Sequence, residues 1–284
     1  MKPDRLPIVL RALVWTTAVV VVLVMGLPML NVLAVSFSTP ASSENPGLVL
    51  FPSDFSVEGY SFVWNTIDIW RPFLNTVFVS VMGTIIHALL AALGGYVLSR
   101  SDLPCRKALT TFVLLTMMIP NELTLVSIYA VNKQFGLINS YAGLIINGAA
   151  SGFSVLLMRN YFSCIPSSLS EAARIDGCSE TGIFWRIFLP LSKPGLATVA
   201  TLELIRRWNN IAMTVTLVSD MAKTTLPVVL RWLLFEMSST SGTAYVYANA
   251  RMAAVVISAI PLVLLYAFAQ RFFVAGALSG SIKG

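Results

Sequence analysis

Residues 171–190 read Glu171-Ala172-Ala173-Arg174-Ile175-Asp176-Gly177, then nine positions, then Ile187-Phe188-Leu189-Pro190. This stretch is polar and lies between two long apolar ones, 141–162 and 196–219. Pro166 ends the helix before it. Ser168-Leu169-Ser170-Glu171 has the spacing of a capping box, in which serine and glutamate satisfy free amides at a helix start. A short helix through Ala172, Ala173 and Ile175 is expected. Gly177 would end it, because glycine accepts a positive φ without a Cβ clash. A second, amphipathic segment presents Ile183, Phe184, Ile187 and Phe188. Pro190 and Pro194 then restrict the chain. Residues 163–195 thus predict a compact knob made of a short helix, a tight turn and an apolar stripe.

The rest of the chain supplies a membrane for that knob to project from. Of 284 residues, 56% are hydrophobic and 11% charged, and the mean hydropathy is +0.79. Soluble domains carry about 25% charged residues, so this chain cannot present a solvated surface all round. The formal net charge of +6 sits mostly at the ends of apolar spans. That placement points to topology control and not to nucleic acid. Cys105, Cys164 and Cys178 show no metal-ligand spacing and read as reduced thiols at a cytosolic face.

A hydrocarbon core of about 30 Å needs about 20 apolar residues per helix. Six segments meet that length: 12–36, 73–98, 108–131, 141–162, 196–219 and 249–271. The first is longer than the apolar core of a cleavable signal and reads as a retained span. The fourth is rich in Gly, Ala and Ser, which suits a closely packed interior helix. Lys2, Arg5 and Arg11 precede the first span. Arg100, Arg106 and Lys107 join the second and third. Arg174, Arg186 and Lys193 lie in the 163–195 loop, and Arg271 and Lys283 in the tail. Residues 37–70 hold no Lys or Arg but carry Glu44, Asp54, Glu58 and Asp68. The remaining outer loops hold Lys133, Lys223 and Arg231. Both termini are therefore expected in the cytoplasm. Phe51, Phe55, Tyr60, Phe62, Trp64 and Trp70 in the outer loop suit either interface anchoring or contact with an external partner. The expectation is an all-α membrane protein, one transmembrane domain over 1–284.

The pattern in 171–190 resembles the EAA loop of ABC-importer permeases, matching it at each position: EAA, three residues to Gly, nine to I-x-L-P. The resemblance implies a type I importer permease with a coupling helix between spans 4 and 5. Glu171, Ala172, Ala173, Asp176, Gly177, Ile187, Leu189 and Pro190 would be the ATPase-coupling residues. In that family the knob sits in a cleft of the ATP-binding subunit, and closure of the ATPase dimer moves it. Asp176 before Gly177, Phe184, the Pro190-Leu191-x-x-Pro194 ending, Trp208-Asn209 and Thr225-Leu226-Pro227 resemble the carbohydrate-uptake, maltose-type group. Gln270-Arg271-Phe272-Phe273-Val274 and Gly280-Ser281-Ile282-Lys283-Gly284 resemble its subset for fragments of alginate or pectin. The implied assembly has a second, unlike permease, two ATP-binding subunits and a periplasmic or lipid-anchored solute-binding protein, in a bacterial inner membrane. ATP and Mg would reside on the partner ATPases, and this chain itself lacks the phosphate-loop pattern. No cofactor or metal of its own is expected, and no enzymatic activity.

Charge inside a span marks function by default. The fifth span carries Glu203, Arg206 and Arg207, spaced so that either arginine pairs with Glu203 and one stays uncompensated. A positive cavity suits an acidic sugar. Trp208, Asn209 and Asn210 pair an aromatic face with amides, a combination that suits sugars or packing between permeases. Tyr129, Asn132, Asn121 and Glu122 follow Pro120, where a kink is expected. Glu203, Arg206, Arg207, Trp208, Asn209, Asn210 and Tyr129 make the candidate substrate path. His87 stands alone in its span and reads as a helix–helix hydrogen bond. The expected function is import of an oligosaccharide, with an acidic, alginate-like one as the finer expectation. Alternatives are a permease for glycerol-phosphate, a neutral sugar or a peptide, and a membrane-embedded glycosyltransferase. The single His and the scattered acids disfavour the last.

Overall fold

The computed structural model describes the backbone of residues 7–66, 68–235 and 245–280, and the side chains of these apart from 121–122, 234–235 and 268–280. The side chains of the C-terminal motifs at 270–284 and of Lys2, Arg5, Arg271, Lys283, Asn121 and Glu122 lie outside the described residues. The architecture is helical. Among the described residues the sole strand-like pairing is one antiparallel bridge, Ser38 with Phe55.

The main helices are α1 (Ile8–Ser36), α2 (Trp70–Ser99), α3 (Arg106–Thr116), α4 (Asn121–Gln134), α5 (Tyr141–Ile146), α6 (Gly152–Ser163), α7 (Ser167–Ile175), α8 (Lys193–Trp208), α9 (Ile211–Leu217), α10 (Leu226–Phe235) and α11 (Ala248–Gly280). Two of these, α1 and α2, together with Ala248–Ala267 of α11, are long and apolar enough to cross a membrane as single helices. The other three expected spans each appear as a pair of helices. The third divides into α3 and α4, the fourth into α5 and α6, and the fifth into α8 and α9. In the third span the kink expected at Pro120 appears as a full break, and the single helices expected over 141–162 and 196–219 are interrupted. Pro120 opens α4 in an extended conformation and cannot continue a helix from the residues before it. Asn147 and Asn210 are also non-helical where their helices change.

The contacts divide the chain into two compact units: residues up to Ile69 with Leu230–Pro261, and Trp70–Val229 with residues from Leu262 on. In the first unit, the 37–70 loop folds back on itself. Phe37 stacks on Phe55 at 5.5 Å and meets Tyr60 at 5.0 Å between ring centroids. Glu44 accepts from Ala248 N at 2.8 Å and so caps α11. Phe51 and Phe55 remain 84% and 72% exposed.

In the second unit, α2 is the central element and packs most extensively against α6 and α8. The approach to α6 is close because Gly95 has no side chain. A Cβ there would lie 2.7 Å from both the Arg159 amide and Met158 Cβ. Ala88, Ala91, Ala92 and Tyr96 of α2 bury a core with Met158, Phe162, Ile183, Phe184, Phe188 and Val199. Small residues on α2 let the bulky partners approach, as membrane packing favours.

Candidate functional site

Polar side chains tie together the breaks in the expected spans. Backbone that leaves a helix at membrane depth must find its hydrogen-bond partners within the protein or in a wet cavity. At the break between α5 and α6 the partners are identifiable. The Ser151 hydroxyl accepts from Ser154 N at 3.2 Å and caps α6. The Asn147 amide donates to Asn132 Oδ1 at 2.9 Å, linking this break to α4. His87 Nδ1 donates to Gly148 O at 2.8 Å, since a carbonyl can only accept, and Nε2 meets Ser154 Oγ at 2.8 Å. The imidazole is thus a strut between helices, as the sequence suggests. Its Nδ1 also lies 3.5 Å from Glu203 Oε1, a neighbour that spacing along one helix does not reveal.

Glu203 organises the centre of this network. Arg206 donates to it through Nε at 2.7 Å and Nη2 at 2.5 Å. Arg207 donates through Nε at 2.6 Å. Both arginines therefore engage one carboxylate, and a single positive charge is left over. Their environments differ. The Arg207 side chain is 3% exposed. It donates to Leu144 O at 3.1 Å and Asn147 O at 3.4 Å, carbonyls at the end of α5 that have no helical partner. The Arg206 side chain is 43% exposed. Gly83 makes room for the Arg207 guanidinium, since a Cβ there would lie 2.3 Å from Nη1. Gly148, at φ +77°, adopts a backbone conformation that favours glycine, and a Cβ there would lie 2.5 Å from Arg206 Nη2.

The Trp208–Asn210 trio is partly committed to structure. Trp208 is buried and meets Phe73 edge-on at 6.1 Å. Its Nε1 is buried without a hydrogen-bond partner among the described residues. Asn210 Oδ1 accepts from Met213 N at 3.1 Å and caps α9. Asn209 is exposed, and its amide donates to Ile205 O at 3.0 Å. Tyr129 is 41% exposed, and among the described residues no hydrogen bond joins it to this network.

The knob at 163–195 has a defined geometry. α7 ends in a Schellman motif. Cys178 N donates to Ala173 O at 2.9 Å, Gly177 N to Arg174 O at 3.0 Å, and Gly177 has φ +80°. Glu171, Ala172, Ile175 and Asp176 are exposed on this helix, Ile175 at 87%. Ala173 is buried in the core. Two expectations are corrected. The capping box does not form, because the helix begins at Ser167 behind Pro166, whose side chain has no oxygen to offer. The apolar stripe also faces inward. Ile183, Phe184 and Phe188 are buried, and Ile187 and Leu189 pack against them. A five-residue π-helical segment, Phe184–Phe188, precedes Pro190. Widening there accommodates a residue that has no amide hydrogen to donate.

Residues 85–278 match the family described as binding-protein-dependent transport system inner membrane components. The chain belongs to that family. Across 270 residues it is 36% identical to the polygalacturonan/rhamnogalacturonan transport system permease protein YtcP of Bacillus subtilis, covering 92% of this chain and 94% of that one. It is 31% identical over 260 residues to the arabinooligosaccharides transport system permease protein AraQ of Halalkalibacterium halodurans, covering 90% and 91%. Among solved structures, a chain of a bacterial ABC transporter involved in import of the acidic polysaccharide alginate superposes with a TM-score of 0.83. It shares 26% identity, and the match covers 96% of this chain and 98% of that one. The MetNI methionine transporter shares the fold at a TM-score of 0.54 and 21% identity, with 78% and 99% covered.

The permease also carries a polar node that the sequence reading missed. Glu180 Oε1 accepts from Arg174 Nε at 2.8 Å. Its Oε2 accepts from Arg100 Nη1 at 2.5 Å and from the Tyr96 hydroxyl at 3.0 Å. Arg100 is itself held bidentately by Asp102 at 2.9 and 2.6 Å. The hydrogen bond from Arg174 holds the Glu180 carboxyl below its ordinary value of 4.5. Arg100 likewise brings Asp102 down to about 2. Tyr96 and Arg100 lie 84 and 80 residues from Glu180, so no local pattern announces the node.

Proposed function

We propose that this permease is the transmembrane subunit of an ATP-driven importer that carries an acidic oligosaccharide into a bacterium by alternating access. It would work with a second, unlike permease, two ATP-binding subunits and an external solute-binding protein, with both termini in the cytoplasm. The relation to the polygalacturonan/rhamnogalacturonan permease, along nearly the whole of both chains, carries this reading. The Glu203–Arg206–Arg207 cluster agrees with it, since it leaves one positive charge and one accessible guanidinium within a span. Arginine forks match carboxylates bidentately, so a uronic carboxylate could compete with Glu203 for Arg206. Glu171, Ala172, Asp176 and the exposed Ile175 would form the face that the ATPase cleft grips. Gly177 would set the turn, Ala173, Ile187 and Leu189 would fix the knob to its helices, and Pro190 would restrict the chain before α8. Hydrolysis of ATP, with its Mg, would occur on the partner subunits.

The test is ATPase activity of the reconstituted complex with its binding protein, against neutral and uronic-acid oligosaccharides. Stimulation by the uronic set alone is expected. Stimulation by neutral sugars alone would reject the acidic substrate and leave the importer assignment standing. For the loop, replacement of Glu171 or Gly177 should abolish uptake while the chain still inserts. Wild-type uptake in both variants would reject the coupling role.

A further inference from the structure

We propose that Glu180 is a positioning residue for transport, a tie that passes displacement of α7 directly to the end of α2. This rests on the coupling role proposed for the loop. The chain itself connects α7 to α6 on one side and, through residues 176–192, to α8 on the other. It supplies no direct link to α2, which is the helix that packs most extensively against both α6 and α8. Glu180 provides that link with one carboxylate. One oxygen takes the last turn of α7 through Arg174, and the other takes the end of α2 through Tyr96 and the residue after it through Arg100. Asp102 holds the Arg100 guanidinium from the far side, which fixes the direction in which it reaches Glu180. Ser179 caps the short Glu180–Ile183 helix, so the backbone carrying Glu180 is fixed as well.

The apolar contacts beneath this node do a different job. Tyr96 packs on Phe162, Phe184 and Phe188 at 5.0–6.2 Å between centroids. Such contacts resist compression but are non-directional, so they let surfaces slide. Charge-assisted hydrogen bonds have defined directions and resist lateral and pulling displacement. Arg100, Glu180 and Arg174 are 25%, 43% and 43% exposed. Exposed ion pairs add little to folding stability. Removing the node should therefore leave the permease folded and expose its mechanical role by itself.

The experiment uses the full importer in proteoliposomes and measures uptake per ATP hydrolysed for Glu180→Ala, Glu180→Gln, Arg174→Ala and Arg100→Ala. Glu180→Ala should lower that ratio by about fivefold or more, the low end of typical coupling between sites, with ATPase activity and thermal stability near wild type. Arg174→Ala and Arg100→Ala, which cut opposite sides of the node, should reproduce the loss. Glu180→Gln, which keeps an acceptor, should recover part of it. An unchanged ratio in Glu180→Ala, or a parallel fall of uptake, ATPase and stability, would overturn the inference. Glu171→Ala in the same assay separates the two readings. If both it and Gly177→Ala transport normally, the coupling role of the loop fails. If it loses transport while Glu180→Ala keeps the wild-type ratio, only the tie fails.

Discussion

Arg206 and Arg207 are neighbours in sequence and share one carboxylate, yet they differ in what their loss would do. Arg207 is buried, bonded to Glu203 and to the end of α5, and enclosed by Gly83. Arg207→Gln should leave the buried Glu203 carboxylate with one arginine fewer and strip two carbonyls of a donor. Breaking a buried ion pair costs about 3–5 kcal/mol, so thermal unfolding of the purified complex should shift clearly downward. Gly83→Ala should act in the same direction and less, by about 1–3 kcal/mol of overpacking, because its Cβ would meet the locked guanidinium. Arg206→Gln should unfold near wild type, since that side chain is half in the open. It should weaken uptake of a uronic oligosaccharide more than of a neutral one. Equal loss for both sugars would make Arg206 a packing residue. The sequence makes the trio legible as i, i+3 and i+4 positions. It does not show which arginine is enclosed, because Leu144, Asn147 and Gly83 come from other helices.

At the scale of elements, α7 shows how far local pattern reaches. Its end is legible, since Gly177 takes φ +80° and closes a Schellman motif. Gly177→Ala keeps size small but forces a Cβ into the left-handed region, at about 1–2 kcal/mol. Fraying of the 176–178 turn should follow, read as faster amide exchange at Cys178. Its start is less legible, because Pro166 took the position that the serine pattern claims. The breaks in the third, fourth and fifth spans follow the same logic. Pro120 announces one. The break at 147–151 depends on side chains of His87, Asn132 and Arg207 that arrive from elsewhere. The Glu180 node adds a pH expectation. Its carboxyl lies below 4.5 because Arg174 donates to it. A lowered folded value means the node is complete above the ordinary carboxylate range and is lost as pH falls through the lower folded one. Uptake per ATP should therefore stay flat from about pH 8 to about pH 5, and a decline near neutrality would point to a different titrating group.

At the scale of the whole molecule, the greasy composition and the 171–190 pattern suffice to place the permease in its family, and residues 85–278 match that family. The orientation proposed from the asymmetry of Lys and Arg can be tested with the native thiols. Cys105 and Cys164 are exposed and lie in loops expected in the cytoplasm. Ser53 is exposed in the 37–70 stretch, which has no Lys or Arg. A membrane-impermeant maleimide should therefore leave the wild-type chain unlabelled in intact spheroplasts. It should label that chain in inverted vesicles stripped of peripheral subunits. Ser53→Cys should reverse the first result by adding a thiol outside, with Cys105, Cys164 and Cys178 replaced by Ser to keep the signal single. Labelling of Cys105 from outside, with Ser53→Cys silent, would invert the topology. It would place the exposed face of α7 away from any cytoplasmic ATPase, and the coupling role of the loop would fall with it.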